Sequence, residues 1–566
     1  MKNLKVALLL FIIIISTAIA FYPSIHNDFT NWDDSYYVTN NHLIRELSWK
    51  NIKDIFSSSF VSNYVPLTIL SYTVEYHFFG ANPYVYHTTN LIFHLFNCIL
   101  VFWLFFLISK NDYIAFIVSL LFAIHPMHVE SVAWISERKD VLYSFFFLSA
   151  LISYFYYINR NCSARYFIFS MLFFILSLLA KPMAITMPAV LFLIDYMQGR
   201  QLGKLVFAEK IVSLMPAVLF GVITICSQDK AIKLDLFYSF LDNAIFICYR
   251  VNFYISKIFL PINLSCLYPY PEKINGMLPS TYILSPLILV LLTVLISFLA
   301  IKKIYRKTLL FGFLFFFITI TPVLQIIPVG QAIVADRYTY IPYLGLFFII
   351  ATFTYWFYEK YIKNKVWFKF VFIFIFVLIM ASWGLLTWQR CHVWQDSVTL
   401  WSDFLKKYPN NVTGYSNRGS GYFLKGDYQN AILDYYKSLE INPHHIPAHY
   451  NLCVLYERTM QYKKALIACK NTIELKSDYV EAYNVLGNTH LALGNTKESI
   501  ALYKNAINLN RTYVPPYINL GAIYYFLKDY DLSFKYFMKA IELGGKVHPD
   551  FDDFMKNYPI QKSRTR

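Results

Sequence analysis

Apolar runs of the length a bilayer span needs, about 17 to 25 residues, dominate the first 390 positions of this chain. They lie near 4 to 22, 84 to 109, 112 to 126, 140 to 158, 165 to 180 and 183 to 197. Six more follow near 209 to 228, 242 to 260, 281 to 301, 308 to 328, 338 to 358 and 368 to 388. This pattern predicts a polytopic helix bundle over 1–390. The basic clusters Lys302, Lys303, Arg306, Lys307 and Lys360, Lys363, Lys365, Lys369 both belong on the cytoplasmic side, which makes the last run travel outward. With a cytoplasmic N-terminus the number of crossings is then odd, about 11. The misfit is the 229 to 260 region, which carries Arg250 and Lys257 and is expected to be re-entrant or interfacial.

After Gln389 the pattern turns to short amphipathic helices with a 34-residue period, the period of tetratricopeptide arrays. Gly419, Cys453, Gly487 and Gly521 stand one period apart, as do Tyr422, Tyr456, His490 and Tyr524. Two further registers are Ala431, Ala465, Ser499, Ser533 and Ser438, Thr472, Ala506, Ala540, whose small residues let paired helices approach closely. An α-solenoid is expected over 391–545, with a tail at 546–566. Pro409, one period before Pro443, marks Trp394 to Tyr408 as a half repeat at its head. Such a solenoid offers a concave surface for a polypeptide partner.

Composition supports the membrane class. Hydrophobic residues make up 57% of the chain and charged residues only 15%, against about 25% charged in soluble domains. The net charge of +16 is explained by cytoplasmic loop cations rather than by nucleic acid. The eight cysteines include no CxxC and no framework spacing, so neither a zinc site nor a redox motif is expected. Lys2 and Lys5 ahead of the first apolar run fit an uncleaved anchor better than a signal peptide cut after Ala18-Ile19-Ala20. Either way the segment that follows emerges outside.

Candidate chemistry gathers where spans end. The outer loop at 23–83 is long for a bundle connector and holds Asp33 and Asp34. Adjacent carboxylates suit a general base toward an acceptor hydroxyl, or a divalent cation bridging a phosphate; a helix cap or solvated turn is the plainer alternative. The polar stretch from His125 to Asp140 lies between two apolar runs and contains His128, Glu137, Arg138 and Lys139. Pro126 between the two histidines, and no third ligand at a zinc-like spacing, count against zinc. Arg138 and Lys139 suit a phosphate, with snorkelling anchors as the alternative. Lys181 before Pro182, and Asp336-Arg337-Tyr338, add charged groups at or near membrane depth.

These motifs, taken in order as Trp32-Asp33-Asp34, His125-Pro126 through Asp140-Val141-Leu142, Ala180-Lys181-Pro182, Ala335-Asp336-Arg337-Tyr338 and then the repeats, resemble the transmembrane and tetratricopeptide-repeat (TMTC) family along nearly the whole chain. The resemblance implies a GT-C-type membrane glycosyltransferase related to protein O-mannosyltransferases. By it, a mannose-like sugar passes from a polyprenyl-phosphate donor to Ser or Thr of a polypeptide presented by the repeats, outside the cytoplasm. It further implies that Asp33 or Asp34 is the base, that Arg138, Lys139, Lys181 and Arg337 hold the lipid phosphate, and that His125, His128, Glu137, Asp140, Asp336 and Tyr338 lie nearby. A divalent cation at Asp33 and Asp34 is left open. A bacterial inner membrane is the expected location.

Two other classes compete. A non-catalytic scaffold would recruit envelope proteins through the repeats, yet it would not need so many charges beside lipid. A transporter would place its ionisable residues at mid-membrane rather than at span ends. A sugar-nucleotide enzyme is excluded because no Gly-rich phosphate loop is present.

Overall fold

The structure is a computed structural model that describes residues 2–228, 238–300, 303–326 and 330–564. The chain divides into two compact units, Met1–Lys407 and Tyr408–Arg566. Part of the expected re-entrant stretch, and Lys302 of the first basic cluster, lie outside the described residues.

The first unit is helical. After α1 (Lys2–Phe21), the outer loop carries α2 (Trp49–Ser57) and α3 (Pro66–Phe79). Next come α4 (Pro83–Ser109), α5 (Asp112–Ile124), the short α6 (Val129–Ala133), α7 (Arg138–Asn159), α8 (Ala164–Ala180), α9 (Met187–Gln198) and α10 (Lys204–Gln228). The rest are α11 (Phe240–Lys257), α12 (Ser280–Ile283), α13 (Ser285–Ala300), α14 (Lys303–Ile320), α15 (Tyr343–Phe357), α16 (Val366–Val393) and α17 (Ser397–Lys407). Within the described residues, a helix carries the main part of each of the twelve apolar runs. Among the described residues six helices are long and apolar enough to cross a membrane, or seven if α5 and the bent segment after it form one span. The stretches Ala164–Ala180, Pro182–Gln198 and Ser280–Val294 are shorter apolar helices.

Two proline breaks interrupt these helices, and both deliver polar residues to one region. Pro126 lacks an N–H and drives His125 into an extended conformation, so the chain bends by 55° between α5 and the α6 segment. Lys181 before Pro182 is extended for the same reason and ends α8. A two-stranded antiparallel ribbon, β1 (Tyr268–Pro269) with β2 (Ala332–Val334), leads into Asp336-Arg337-Tyr338. The outer loop is a small helical subdomain rather than a plain connector. Its buried side chains Tyr37, Val38, Ile44, Ile55, Val65, Ile69 and Tyr72 form a core with Tyr86 and Ile135.

Helix α17, expected as a half repeat of the solenoid, packs in the first unit instead. Asn31 N donates to Ser397 Oγ at 2.8 Å, Trp401 Nε1 to Asn31 Oδ1 at 2.9 Å, and Lys407 Nζ to the Leu264 carbonyl at 2.6 Å. Its Trp401 and Phe404 are fully buried, and the Trp401 ring packs edge-on against Trp32 of that unit at 5.1 Å.

The second unit stacks four helix pairs: α18 (Val412–Leu424) with α19 (Tyr428–Ile441), α20 (Ile446–Arg458) with α21 (Tyr462–Leu475), α22 (Val480–Ala492) with α23 (Thr496–Leu509), and α24 (Pro515–Phe526) with α25 (Tyr530–Glu542). The expected tail is largely helical, as α26 (Asp552–Arg564). Its Phe554 packs edge-on against Tyr525 at 5.0 Å, covering the end of the array.

Helices α14 and α15 cross at Gly312 and Gly345, where a Cβ on either would run into the other's backbone carbonyl. Gly345→Ala is therefore expected to cost about 1–3 kcal/mol through overpacking, read as a lower thermal midpoint in detergent. Gly384→Ala, with open space around it, serves as the control. Equal midpoints for the two variants would show that the crossing has room.

A candidate active site at the helix breaks

Asp33 and Asp34 are adjacent in sequence but stand in different chemical environments. Asp34 is buried, and both of its oxygens are occupied. Oδ2 accepts from Thr30 N at 2.8 Å and Thr30 Oγ1 at 2.9 Å; Oδ1 accepts from Ser136 N at 3.0 Å and Ser136 Oγ at 2.5 Å. Burial pushes its carboxyl up to about 6, with the Ser136 and Thr30 donors opposing. Asp34 thus ties the outer loop to the segment ahead of α7. A cation shared by the pair does not fit, because each Asp34 oxygen already accepts two hydrogen bonds.

Asp33 is half-buried and takes a left-handed backbone, φ 66°, which few non-glycine residues adopt outside a constrained turn. The N–H groups of Tyr36 and Tyr37 hold its carbonyl at 2.9 and 3.1 Å. Among the described residues none donates a hydrogen bond to its carboxylate. Burial raises its pKa above the ordinary Asp value, while the charges of Lys139 and Arg337 pull it down and Glu137 raises it further. The side chain therefore lies within the field of those cations without being consumed by a pairing.

The cations share one counter-ion. Glu137 lies 3.2 Å from Lys139 Nζ, 3.2 Å from Lys181 Nζ and 3.3 Å from Arg337 Nε. Lys181 also reaches Asp140 Oδ1 at 2.6 Å, and Asp140 Oδ2 accepts from Ser131 Oγ at 3.0 Å. Arg337 is fixed twice by Glu130, which accepts from its backbone N–H at 2.9 Å and from Nη1 at 2.5 Å. The guanidinium also lies 5.4 Å from the Trp134 ring, and the Lys139 ammonium 4.6 Å from the Tyr37 ring. Lys139 sits in the first turn of α7, where the helix dipole disfavours a cation. Glu137 and Asp140 offset that cost.

The structure thus brings together Asp33, Glu137, Lys139, Asp140, Lys181 and Arg337. Tyr338 lies alongside, its ring 5.0 Å from the Arg337 guanidinium. It does not bring Arg138 to the group. That side chain is fully buried and turned toward α3 and α4, with Nε on Asn90 Oδ1 at 2.7 Å, Nη2 on the Tyr86 carbonyl at 2.8 Å and Nη1 2.5 Å from Glu75. His125 and His128 are also fully buried, among rings. His125 packs against Trp383 at 4.6 Å, and His128 Nδ1 bonds the Phe122 carbonyl at 2.8 Å. Asp336 is buried and accepts from Tyr268 OH at 2.7 Å. No group of three or more His, Cys, Asp or Glu suited to a metal occurs among the described residues.

Sequence reading missed Glu130, Trp134, Thr30 and Ser136. Glu130 carried the one available signal, an acid inside the polar stretch; the other three look like ordinary loop residues until the loop closes on them.

Two family models described as tetratricopeptide repeat match residues 412–445 and 514–543, and a third described as TPR repeat matches 487–527. Mouse protein O-mannosyl-transferase TMTC1 is 33% identical over 154 residues, which is 25% of this chain and 16% of the mouse protein. Human protein O-mannosyl-transferase TMTC3 is 25% identical over 436 residues, 70% of this chain and 46% of the human one. This chain has homologues among the proteins named TMTC. It spans less than half the length of either of these two. Among solved structures, MamA from Desulfovibrio magneticus RS-1 is 22% identical with a TM-score of 0.25, covering 26% of this chain and 83% of MamA. The apolar helices and the TMTC homologues together make this a multi-pass membrane protein carrying tetratricopeptide repeats.

Removing one partner of a buried ion pair costs about 3–5 kcal/mol. Arg138→Ala is accordingly expected to lower the yield of folded protein and its thermal midpoint, measured by size-exclusion and unfolding in detergent. Wild-type yield and midpoint would mean that the Glu75 contact is dispensable.

Proposed function

We propose that this chain is a GT-C-type membrane glycosyltransferase that moves a mannose-like sugar from a polyprenyl-phosphate donor to a Ser or Thr hydroxyl of a polypeptide on the extracytoplasmic side of a bacterial inner membrane. The observation that carries the reading is Asp33: a half-buried carboxylate, held in a left-handed turn, within the field of Lys139 and Arg337 and with no hydrogen bond donated to it among the described residues. Homologues named as protein O-mannosyl-transferases supply the reaction class.

Asp33 accepts the proton of the acceptor hydroxyl as the oxygen attacks the anomeric carbon from the face opposite the phosphate. The bond from that carbon to the phosphate oxygen breaks in the same displacement, inverting the sugar. Charge then builds on the departing lipid phosphate, and Lys139, Lys181 and Arg337 stabilise it. Arg337 is the best placed of the three, since Glu130 and Glu137 hold its backbone N–H, Nη1 and Nε while Nη2 has no partner among the described residues. Glu137 keeps the three cations from repelling one another before the donor arrives. In this reading Asp34 is an anchor, and the repeats bind the acceptor polypeptide through their inner face.

The test is sugar transfer by purified protein in detergent, with polyprenyl-phosphate mannose and a Ser/Thr-rich peptide. Asp33→Asn is expected to lower kcat by about 10²-fold or more while leaving the thermal midpoint within about 1 °C of wild type. Asp34→Asn is expected to lower the midpoint, because an amide nitrogen would meet two of the four donors that the carboxylate accepts. Full transfer by Asp33→Asn would remove it as the base.

The pH dependence has a definite sign. A base works ionised, and burial raises the Asp33 pKa, so the acid limb of the kcat/KM profile is expected above the free Asp value of about 4. Weakening the positive field with Lys139→Gln moves that limb to still higher pH. A limb at or below about 4 in the wild type would contradict the burial argument.

A further inference from the structure

Three of the four repeats lock their helix pair in one way. Gly419 on α18 faces the Tyr435 ring on α19, Gly487 faces Tyr503, and Gly521 faces Phe537, so close that a Cβ on these glycines would meet a ring carbon at 2.7, 2.6 and 2.6 Å. In the second repeat the same two registers hold Cys453 on α20 and Cys469 on α21, which are joined by a disulfide with a Cα–Cα distance of 5.0 Å. Cys453 alone would crowd a ring, and Cys469 alone would leave a ring-sized gap. Together, bonded, they close the helix pair.

The neighbouring register follows the exchange. Tyr435 OH donates to Ser420 Oγ at 3.3 Å, and Tyr503 OH donates to Asn488 Oδ1 at 2.7 Å. Where the ring has no hydroxyl, at Phe537, the equivalent position is Ala522; beside the disulfide it is Val454. A polar acceptor is present only where a hydroxyl needs one. The second repeat has thus given up both the ring and its acceptor in favour of a covalent bond.

We infer that the Cys453–Cys469 cross-link is an obligatory modification of the mature protein, that the repeat unit folds in an oxidising compartment, and that reduction unlocks the second repeat. Disulfides persist where glutathione and thioredoxin do not reduce them. The oxidant is a protein or small-molecule disulfide. One cysteine, as thiolate, attacks it to give a mixed disulfide; the second, also as thiolate, displaces the partner's sulfur. Two electrons and the two thiol protons leave with the oxidant, which departs as a dithiol if it is a protein and as two separate thiols if it is a small molecule. Both sulfurs belong to fully buried residues, so exchange precedes closure of the helix pair. Each repeat of a solenoid is stabilised by its neighbours, so loss of the bond also weakens what joins the first repeat to the third. This deepens the sidedness in the proposed function and rests on no transfer chemistry, so failure of the cross-link bears on the sidedness alone and leaves the sugar-transfer test to decide the chemistry.

The experiment counts thiols in the full chain. Membranes are dissolved directly in SDS with maleimide-PEG, with and without prior reduction, and mass additions are read on a gel. The chain has eight cysteines, of which six are free, so six additions are expected without reductant and eight with it. A Cys453→Ala, Cys469→Ala variant gives six in both. Eight additions to the wild type without reductant would overturn the cross-link and the compartment. The lock is tested by heating the purified full chain with dithiothreitol, which is expected to lower the midpoint of the repeat transition by about 5 °C. Cys453→Gly with Cys469→Tyr, which restores the pairing of the first repeat, is expected to be indifferent to the reductant. If that variant does not fold, the alanine pair substitutes, with an expected midpoint equal to that of the reduced wild type. A wild-type midpoint unmoved by reduction would overturn the lock.

Discussion

Glu137 is the negative charge around which the polar region of the first unit is built. Lys139 from α7, Lys181 from the break after α8, and Arg337 from the turn after β2 all lie within 3.3 Å of its carboxylate. Three cations brought this close in a largely buried setting would repel one another strongly without it. The proline breaks exist in the same service. Had α5 or α8 continued as regular helices, Glu130 and Lys181 would be carried to other faces and the convergence would be lost.

Around this centre the neighbouring charges are matched by specific partners rather than left to solvent. Glu130 pairs with Arg337, Asp140 with Lys181, and Glu75 with Arg138. Buried pairs of this kind contribute little net stability, because desolvation offsets most of the attraction, but breaking one is costly. Their effect is to fix geometry. Asp33 departs from this rule: its neighbour Asp34 takes up the available donors, and Asp33 is left facing positive charge. A carboxylate in that position retains the capacity to accept a proton.

The solenoid solves a different problem, the closure of four similar helix pairs. Ring against glycine serves three of them, and a covalent bond serves the fourth. The bond makes one repeat depend on its chemical surroundings, whereas its neighbours depend only on packing.

By itself the sequence determined the elements. Among the described residues the apolar runs are carried mainly by helices because a chain in lipid must satisfy its own backbone, and the 34-residue register became helix pairs because small residues recur at the crossings. The candidate site was legible as a set of motifs, since charges at span ends are too costly to carry without a use. Tertiary structure alone decided the roles within it. Arg138 and Lys139 are adjacent in sequence, yet in the first turn of α7 successive side chains point about 100° apart, so one faces Glu75 and the other Glu137. Asp33 and Asp34 diverge because Ser136, about a hundred residues away, supplies the donors for only one of them. Helix α17 left the solenoid because its Trp401 found Asn31 and Trp32 as partners. Cys453 and Cys469, read along the chain as two of eight scattered thiols, became a pair when α20 folded against α21. Each of these depends on which distant side chain arrives opposite, and that is set by the packing of helices rather than by local pattern.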